Sequence, residues 1–333
     1  MSELSISAIV PCLNGERRLP QLLQSLRDQS IDQSRLEIII VDDGSTDRTA
    51  EVAARFGARV VSNGHKNIER GKAIGIQAAS HDLLLFVDDD NELPHSSWLA
   101  KAVAAYDECP DATGVQAGWF AYDRGDWAAN RYCSLYGIGD PMAFYLDRRD
   151  HLMRSERTWC LRGVVVRDAP TYWLVRFDED NMPTLGSQGY LIRRSLVKRT
   201  SWWPYFFHID SNLELVRQGS DTFVILKDEV IHHYCVSAQD ILKKLRRNMD
   251  LFLTQHAMRR YRWATPPALL VAKTLWMVLG IGPLARACVE WCKIRDSAHL
   301  FHPYLCVRVP WMYAGQVVRH RLRSAGARPA AGT

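Results

Sequence analysis

Two groups of adjacent carboxylates follow apolar stretches in the first third of this 333-residue chain. Residues 88–90 are all aspartate and come directly after the apolar run 83–87, while Asp42 and Asp43 follow the run 37–41. Like charges this close repel one another unless a cation neutralises them. The two groups therefore predict a hard divalent cation that in turn holds a phosphate group. A solvated acidic turn after each strand is the alternative that the same residues allow.

The elements that must position these carboxylates are readable from the apolar runs. Apolar stretches predict strands at 6–10, 37–41, 58–62 and 83–87, and amphipathic stretches between them predict helices at 18–29, 48–56 and 71–79. This alternation predicts a parallel sheet with right-handed crossovers, whose ligands bind at the carboxyl ends of the strands. No glycine-rich dinucleotide fingerprint and no Walker loop follows the first strand, which disfavours dehydrogenase and kinase functions.

Three motifs, taken in order and spacing, resemble those of the family 2 glycosyltransferases with the GT-A fold. They are PCLNGE at 11–16, VDDGSTD at 41–47 and VDDDN at 87–91, and they fall within the first 100 residues. The resemblance implies an α/β, Rossmann-like nucleotide-binding sheet with helices on both faces. It also implies inverting transfer of a sugar from a nucleotide diphosphate sugar, with Mg²⁺ or Mn²⁺ as cofactor and a role in cell-envelope polysaccharide synthesis.

The resemblance assigns roles to individual residues. Asp90, helped by Asp88, would bind the metal ion, and His233 would approach that ion or the diphosphate unless it is simply a packed or exposed side chain. Lys72 stands where such enzymes often carry a basic residue, although the usual Asn after it is Ala73 here. The residues expected to bind the nucleotide sugar are Pro11, Asn14, Glu16, Asp42, Asp43, Lys72, Asp88 and Asp89.

The second half of the chain is expected to supply a general base, because an inverting displacement needs one to take the proton of the acceptor hydroxyl. Asp210 resembles that base, although it could instead cap a helix predicted over 211–218. The acidic residues at 178–180 compete for the role but are typical of a solvated loop. An acceptor-side glycine turn is similar to the stretch that holds Gly186, Gln188 and Gly189, and a turn before an ordinary edge strand is its alternative.

The charge of the chain is unevenly distributed. The net charge is +5, but from residue 241 onward sixteen Lys and Arg stand against three Asp and Glu. A basic C-terminal third favours anionic partners, and since no nucleic-acid motif is visible we expect a membrane surface and no nucleic acid. The cations of a predicted helix that opens this region are Lys243, Lys244, Arg246 and Arg247. They would receive an acceptor phosphate, or else form a solvated basic face.

An apolar stretch at 264–285 contains a single charge, Lys273. It is interrupted by glycine and proline, so we expect a helix that lies in the membrane interface, with Trp276 and Trp291 at headgroup level. A soluble helical hairpin packed on the domain is the alternative. The opening residues show no signal peptide and the cysteines form no CxxC pair, which together indicate the cytoplasmic side of the membrane.

These observations predict four segments and one function. The segments are a nucleotide-sugar-binding half at 1–118, an acceptor and catalytic-base half at 119–240, a basic amphipathic region at 241–323 and a disordered tail at 324–333. The function is transfer of a sugar from a UDP-, GDP- or dTDP-sugar to a lipid or lipid-linked glycan acceptor by a peripheral or monotopic enzyme. A non-catalytic nucleotide-sugar or glycan scaffold and a nucleotidyltransferase are the alternatives.

Overall fold

The computed structural model of the protein describes residues 4–255, 258–260 and 265–326. The chain divides into two compact units, the first made of Met1–Tyr122 with Arg149–His233 and the second of Asp123–Arg148 with Tyr234–Thr333. These units differ from the predicted segments, since residues 123–148 leave the middle segment and join the C-terminal helices. Each unit is considered by itself below.

The first unit is built on one ten-stranded sheet. Its strands are β1 (Ile6–Cys12), β2 (Leu36–Asp42), β3 (Arg59–Ser62), β4 (Leu83–Phe86), β5 (Asn91–Glu92), β6 (Gly114–Phe120), β7 (Val164–Asp168), β8 (Tyr172–Arg176), β9 (Tyr190–Arg193) and β10 (Thr222–His232). The strand order is β3-β2-β1-β4-β9-β6-β10-β8-β7, and β5 pairs with β10 outside this path.

The α-helices complete both units. In chain order they are α1 (Leu19–Arg27), α2 (Thr49–Arg55), α3 (Ile68–Ala78), α4 (Trp98–Glu108), α5 (Ala128–Tyr136), α6 (Pro141–Tyr145), α7 (Arg194–Val197), α8 (His208–Arg217), α9 (Ala238–Gln255), α10 (Pro267–Leu279), α11 (Ile281–Lys293) and α12 (Phe301–Gly326). The predicted helices and strands of the first 90 residues are all present, with ends that differ by up to three residues. On α1 the predicted leucine face is buried at Leu19, Leu22, Leu23 and Leu26.

The prediction of a parallel sheet is correct for the first four strands, and β6 and β10 also pair in parallel. Strands β3, β2, β1 and β4 run parallel, as their alternation with helices requires. The next strand, β9, is antiparallel to both of its neighbours, β4 and β6, so the sheet is mixed. Because β9 lies inside the sheet and its residues 190–192 are buried, the edge-strand alternative for the segment after the glycine turn is wrong.

The second unit packs α5 and α6 with the C-terminal helices around a buried histidine. The His302 side chain of α12 is fully buried, its ring stacks on Tyr136 at 4.2 Å between centroids, and its Nε2 lies 3.0 Å from the Tyr145 hydroxyl. The Asp140 carboxylate, which caps α6, accepts a hydrogen bond of 2.9 Å from the Tyr313 hydroxyl. These contacts explain why residues 123–148 belong with the C-terminal helices, which local sequence patterns do not reveal.

The apolar stretch predicted as one interfacial helix forms two helices. Gly280 adopts φ 73° between α10 and α11, and the two helices are bent by 68° relative to each other. Among the described residues no single helix has the length and hydrophobicity to cross a membrane, whereas this bent pair meets both criteria taken together. The predicted tail at 324–333 starts inside α12, which ends at Gly326, and its remaining residues, like residue 264, lie outside the described part of the chain.

The burial of His302 predicts how the second unit responds to acid. Burial lowers the pKa of His302 from its ordinary 6.5 to about 3. Below pH 6.5 the unfolded chain therefore binds a proton that the folded unit excludes, and stability falls as the pH drops toward about 3, by about 1.4 kcal/mol per pH unit. The phenylalanine side chain in His302→Phe cannot titrate. Between about pH 7 and about pH 5 we therefore expect the free energy of unfolding of this variant to fall by about 2 kcal/mol less than that of the wild type.

Hydrogen exchange of α12 peptides at both pH values, corrected for intrinsic rates, measures this difference. The matched control is His65→Phe, because the His65 side chain is exposed and its substitution should leave the pH dependence unchanged. Equal acid sensitivity of the wild type and His302→Phe would contradict the assignment.

Candidate functional site

Asn14 joins the loop after β1 to the loop after β2. It adopts φ 52°, a left-handed conformation that Asn tolerates better than most residues. Its backbone N–H donates to Ser45 Oγ at 2.8 Å, and its side-chain Oδ1 accepts from the Thr46 N–H at 2.9 Å. The two loops that carry the first two motifs are therefore held as one piece at the carboxyl ends of neighbouring strands.

Glu16 adds a second connection between the same loops. Its carboxylate accepts hydrogen bonds from Arg48 Nε at 2.8 Å and from the Arg48 N–H at 3.2 Å, while its own N–H donates to Asp47 Oδ2. The hydrogen bonds from Arg48 lower the pKa of Glu16. Glu16, predicted to bind the nucleotide sugar, thus has its carboxylate engaged in holding the start of α2.

The second acidic group connects the end of β2 to the start of α3. Asp42 accepts a hydrogen bond from the Ser45 N–H at 3.2 Å, which closes the turn after the strand. Asp43 accepts from the Asn67 N–H at 3.3 Å and contacts the side-chain amide of Asn63. Asn63 is buried and also donates to Asn67 O at 2.8 Å, a role that no sequence motif indicated.

Gly75 allows α3 to approach the sheet closely, and the helix carries Lys72 to the carboxyl edge of the sheet. A Cβ on Gly75 would lie 2.4 Å from Ile9 Cγ2, and one on Gly71 would lie 3.8 Å from Pro11 Cβ. Lys72, next to Gly71, is only 4% exposed. The helix thus presses its glycine face on β1, and the basic residue predicted at the site lies at the strand ends.

The third motif forms a tight turn at the end of β4. The Asp88 N–H donates to Asn91 Oδ1 at 3.0 Å, and the Asn91 N–H donates back to Asp88 O at 3.0 Å. The second of these hydrogen bonds closes a β-turn over residues 88–91. Asn91 is 1% exposed and opens β5, which pairs with the end of β10. The acidic turn is consequently fixed at both of its ends.

Each carboxylate of this turn faces a different basic side chain. The pairs are Asp88 Oδ1 with Lys72 Nζ at 3.5 Å, Asp89 Oδ2 with Arg18 Nη2 at 2.7 Å, and Asp90 Oδ1 with His232 Nε2 at 3.5 Å. The three basic residues come from α3, from the residue before α1 and from β10. The repulsion that predicted a cation is thus partly offset by the protein's own side chains.

Asp89 differs from its two neighbours. Its carboxylate lies 3.6 Å from the Cys12 sulfur as well as against Arg18, and its side chain is 13% exposed. Burial raises the pKa of Asp89 although Arg18 opposes this effect, and burial together with Asp89 raises the pKa of the Cys12 thiol. Asp89 was predicted to bind the nucleotide sugar, whereas in the structure its carboxylate anchors the turn to the first loop.

The imidazole that the structure places beside Asp90 is that of His232, not that of the predicted His233. The His232 side chain is 9% exposed and its Nε2 lies 3.5 Å from Asp90 Oδ1. The His233 N–H donates to Asp90 O at 2.8 Å, but its ring nitrogen Nε2 instead lies 2.5 Å from Glu92 Oε1. The backbone of His233 thus positions the turn, while the imidazole beside Asp90 belongs to its neighbour.

The described residues contain no group of three or more His, Cys, Asp and Glu side chains arranged to hold a metal ion. The donors beside the turn nonetheless fit Mg²⁺ or Mn²⁺, which need only one or two carboxylates when phosphates and water complete the shell. Asp88 Oδ1 is buried and accepts no hydrogen bond, although it faces Lys72 at 3.5 Å. Asp88 and Asp90, with His232 beside them, are the residues that would hold the ion.

The predicted base lies at the start of α8. Phe206 stacks on Phe86, the last residue of β4, with ring centroids 4.7 Å apart, and its N–H donates to Glu69 O at 3.0 Å. These contacts bring α8 to the carboxyl end of β4. Asp210 is 6% exposed and lies in the first turn of a helix that begins at His208, so the alternative that it caps a helix starting at 211 is wrong.

The glycine turn packs on the same end of α8. Gly186 and Gly189 have φ values of 123° and 65°, and a Cβ on Gly186 would lie 3.0 Å from His208 Cβ. The Asn212 side chain accepts a hydrogen bond from the Tyr190 hydroxyl at 2.9 Å. It also donates to Leu185 O, just before the glycine turn, at 3.1 Å. The turn and the first helical turn of α8 are therefore bound together.

The remaining predicted residues lie elsewhere. Gln188 contacts the Ser187 hydroxyl within the glycine turn. The competing acidic residues 178–180 are exposed; Asp178 closes its own loop and Glu179 pairs with Arg217 at 2.7 Å, as a solvated loop predicts. Of the four cations predicted to meet an acceptor phosphate, Lys243, Arg246 and Arg247 are exposed on α9 in the second unit. The fourth, Lys244, is half-buried, and its Nζ lies 4.3 Å from the centroid of the Tyr234 ring.

Comparisons with known proteins identify relatives of this chain. Residues 7–180, just over half of the chain, match the family model described as Glycosyl transferase family 2. Over 109 residues the chain is 41% identical to the 4,4'-diaponeurosporenoate glycosyltransferase of Staphylococcus haemolyticus, covering 31% of this chain and 28% of that protein. Over 140 residues it is 29% identical to the glycosyltransferase AglE of Haloferax volcanii, covering 39% of this chain and 44% of that protein. The matches thus span less than half the length of either relative.

One solved structure resembles the whole chain. It is a mannosyltransferase from Pyrobaculum calidifontis in complex with GDP-Man and Mn²⁺. The TM-score is 0.53 and the identity 12%, and the alignment covers 99% of this chain and 77% of the other. At this identity the similarity concerns the fold alone, a mixed α/β sheet with helices like that of the GT-A glycosyltransferases.

The Arg18–Asp89 pair generates a prediction about stability. Arg18→Met leaves the Asp89 carboxylate largely buried without its cation, which we expect to destabilise the protein by about 1–3 kcal/mol near neutral pH. The folded-state pKa of Asp89 is already raised and would rise further in this variant. Since a raised carboxyl pKa removes stability as the pH increases, the loss should shrink in acid, where Asp89 is protonated.

Urea unfolding at several pH values tests this prediction. Arg17→Met, at the exposed preceding residue, is the matched control and should have little effect. Adding Asp89→Asn to Arg18→Met should restore stability near neutral pH. A loss that does not depend on pH, or that Asp89→Asn fails to relieve, would show that the ion pair is not the cause.

Proposed function

Because this chain belongs to glycosyl transferase family 2, we propose that it transfers a sugar, with inversion, from a nucleotide diphosphate sugar to a lipid or lipid-linked glycan at the cytoplasmic face of a membrane. The observation that carries the proposal is the assembly of three loops at one sheet edge. These loops follow the adjacent parallel strands β2, β1 and β4 and hold Asp42, Asn14 and the aspartates at 88–90.

The donor would be a UDP-, GDP- or dTDP-sugar. Support comes from the family match and from the GDP-Man and Mn²⁺ bound in the similarly folded mannosyltransferase. Asp88 and Asp90, with His232 beside them, would hold Mg²⁺ or Mn²⁺ next to the diphosphate. When bound, such an ion stabilises the negative charge of the departing nucleoside diphosphate as a Lewis acid. Lys72 fixes Asp88 and contributes a further positive charge at this edge.

Asp210 would take the proton of the acceptor hydroxyl. It lies in the first turn of α8, and its side chain is 6% exposed. Gly186 lets the turn pack closely against α8, because a Cβ there would lie 3.0 Å from His208 Cβ. The base and the acceptor turn are held together through Asn212.

The membrane setting rests on the second unit. Its helices α10 and α11 expose large apolar residues, among them Trp276 at 52% and Trp291 at 43% exposure. Such side chains favour the lipid–water interface, with the aromatic rings at headgroup level. The exposed cations Lys243, Arg246 and Arg247 on α9 would meet the phosphate of an acceptor or of the membrane surface.

The role of Asp210 can be tested by substitution. We expect Asp210→Asn to reduce sugar transfer by about 10²–10⁴-fold, the usual contribution of a general base, with nucleotide-sugar binding unchanged. Asp178→Asn, in the competing acidic loop, is the control and should retain activity. The measurement is nucleoside diphosphate release from a panel of donors in the presence of membrane lipids.

The same assay separates the alternatives. Transfer by Asp210→Asn at the wild-type rate would exclude Asp210 as the base. Release of pyrophosphate in place of a nucleoside diphosphate would indicate a nucleotidyltransferase. Donor binding without turnover of any donor would indicate a scaffold.

The two adjacent histidines provide a second test. His232 lies beside Asp90, whereas the His233 ring contacts Glu92, so only His232→Ala should weaken Mn²⁺-dependent donor binding substantially. A loss of about 10–100-fold is expected, the range typical of groups that support a metal site. Calorimetry with and without Mn²⁺ measures it, and His233→Ala is the matched control. A larger loss of donor affinity for His233→Ala than for His232→Ala would show that His233 supports the metal site instead.

A further inference from the structure

A basic groove in the second unit lies between α9 and α12. Its volume is about 460 Å³, and its lining includes Arg246 and Asp250 from α9 and Gln316, Arg319 and Arg323 from α12. On α12 these residues are three and four positions apart, so they share one face of the helix, as do the two on α9. Three guanidinium groups thus converge on a space that contains one carboxylate.

The groove contains a buried amide with an unfilled hydrogen-bonding position. Gln316 is 2% exposed, and its Nε2 donates to Arg246 O at 2.8 Å and to Asp250 Oδ1 at 2.7 Å. Both donors are therefore used, and they fix the orientation of the amide. Its Oε1 is buried and accepts no hydrogen bond. A buried acceptor in this state is unfavourable, so a ligand that supplies a hydroxyl donor would be stabilised there.

The single carboxylate of the groove does not cancel its positive charge. Asp250 already accepts the hydrogen bond from Gln316, while the side chains of Arg246, Arg319 and Arg323 are exposed. Guanidinium groups bind phosphate oxygens through paired N–H donors, which makes them suited to a phosphate ester. The cationic lining continues along α9, where Lys243 and Arg247 border an adjoining cavity of about 440 Å³ that shares Arg246.

From these observations we infer that the groove binds a polyol phosphate, with the phosphate on the arginines and a hydroxyl donating to Gln316 Oε1. The source favoured is the headgroup of a membrane lipid of the phosphatidylglycerol type. Support for a lipid comes from α12 itself, which exposes Trp311, Val318 and Leu322 on a face separate from the arginines. This inference rests on the membrane setting of the proposed function and adds to it a headgroup-selective site.

The test compares vesicles that differ in headgroup but not in charge. Full-length protein is sedimented with phosphatidylcholine vesicles that contain phosphatidylglycerol or an equal amount of phosphatidylserine. The wild type should prefer phosphatidylglycerol, and the double variant Arg319→Gln/Arg323→Gln should lose that preference. The control Arg308→Gln/Arg321→Gln removes the same charge from exposed positions of the same helix outside the groove lining and should keep it.

Overall affinity for anionic vesicles should fall similarly in both double variants, by about fivefold for each basic residue lost. Equal binding of the wild type to both vesicles, or loss of preference in the control, would overturn the inference. Soluble glycerophosphoglycerol should compete with the vesicles. If it binds to the groove of a protein that ignores phosphatidylglycerol vesicles, the ligand is a soluble polyol phosphate and the lipid assignment is wrong.

Sugar transfer is measured separately, with acceptor lipids in detergent. A headgroup preference without turnover would remove the proposed function and leave the groove assignment standing. Sugar transfer without a headgroup preference would remove the groove assignment and leave the proposed function standing.

Discussion

Three consecutive aspartates follow the buried strand β4, and basic side chains from other parts of the first unit hold their carboxylates close together. Arg18, Lys72 and His232 each face one of the carboxylates at 88–90, and each comes from a different part of the chain. Because adjacent carboxylates repel, the turn depends on all three contacts. These contacts join the start of α1, α3 and β10, which are distant in sequence, at the end of β4.

The same requirement explains small features of the surrounding structure. Gly75 allows α3 to approach β1 so closely that a Cβ would lie 2.4 Å from Ile9 Cγ2, and this approach places Lys72. Asn14 and Glu16 use their side chains to join two loops, while Asp89 is turned toward Arg18. Within one motif, some residues therefore hold the loops at the carboxyl edge of the sheet together, and others remain available to a ligand.

The sequence predicted the first 90 residues well because each of their helices and strands is marked by its own local apolar pattern. The first four strands are separated from one another by helices, each with its own apolar period. The parallel direction of these strands follows from the alternation of strand and helix. The later strands are different. β9 enters between β4 and β6, and nothing in residues 190–193 indicates which strands they will join. Likewise, residues 123–148 join the C-terminal helices through contacts with His302 and Asp296, more than 150 positions away.

The choice between the two histidines shows why the site could be predicted only in part. Side chains alternate along a strand, so adjacent residues point to opposite faces. In β10 the register with β6 shifts between Leu226 and Glu229, and such an irregularity changes which residues face each side downstream. A sequence that shows two adjacent histidines therefore identifies the position but not the member of the pair. The pairing of β5 with β10, which sets His232 opposite Asn91, makes that selection.

The charges at the edge also bear on how a donor would bind. Among the described residues, Lys72, Arg18 and His232 each face one of the aspartates at 88–90, so these basic side chains are engaged by the protein's own carboxylates. A diphosphate adds further negative charge and would be repelled by this edge on its own. A divalent ion between the carboxylates and the diphosphate reverses the sign of that interaction. This electrostatic effect is the physical basis for proposing that donor binding depends on a metal ion.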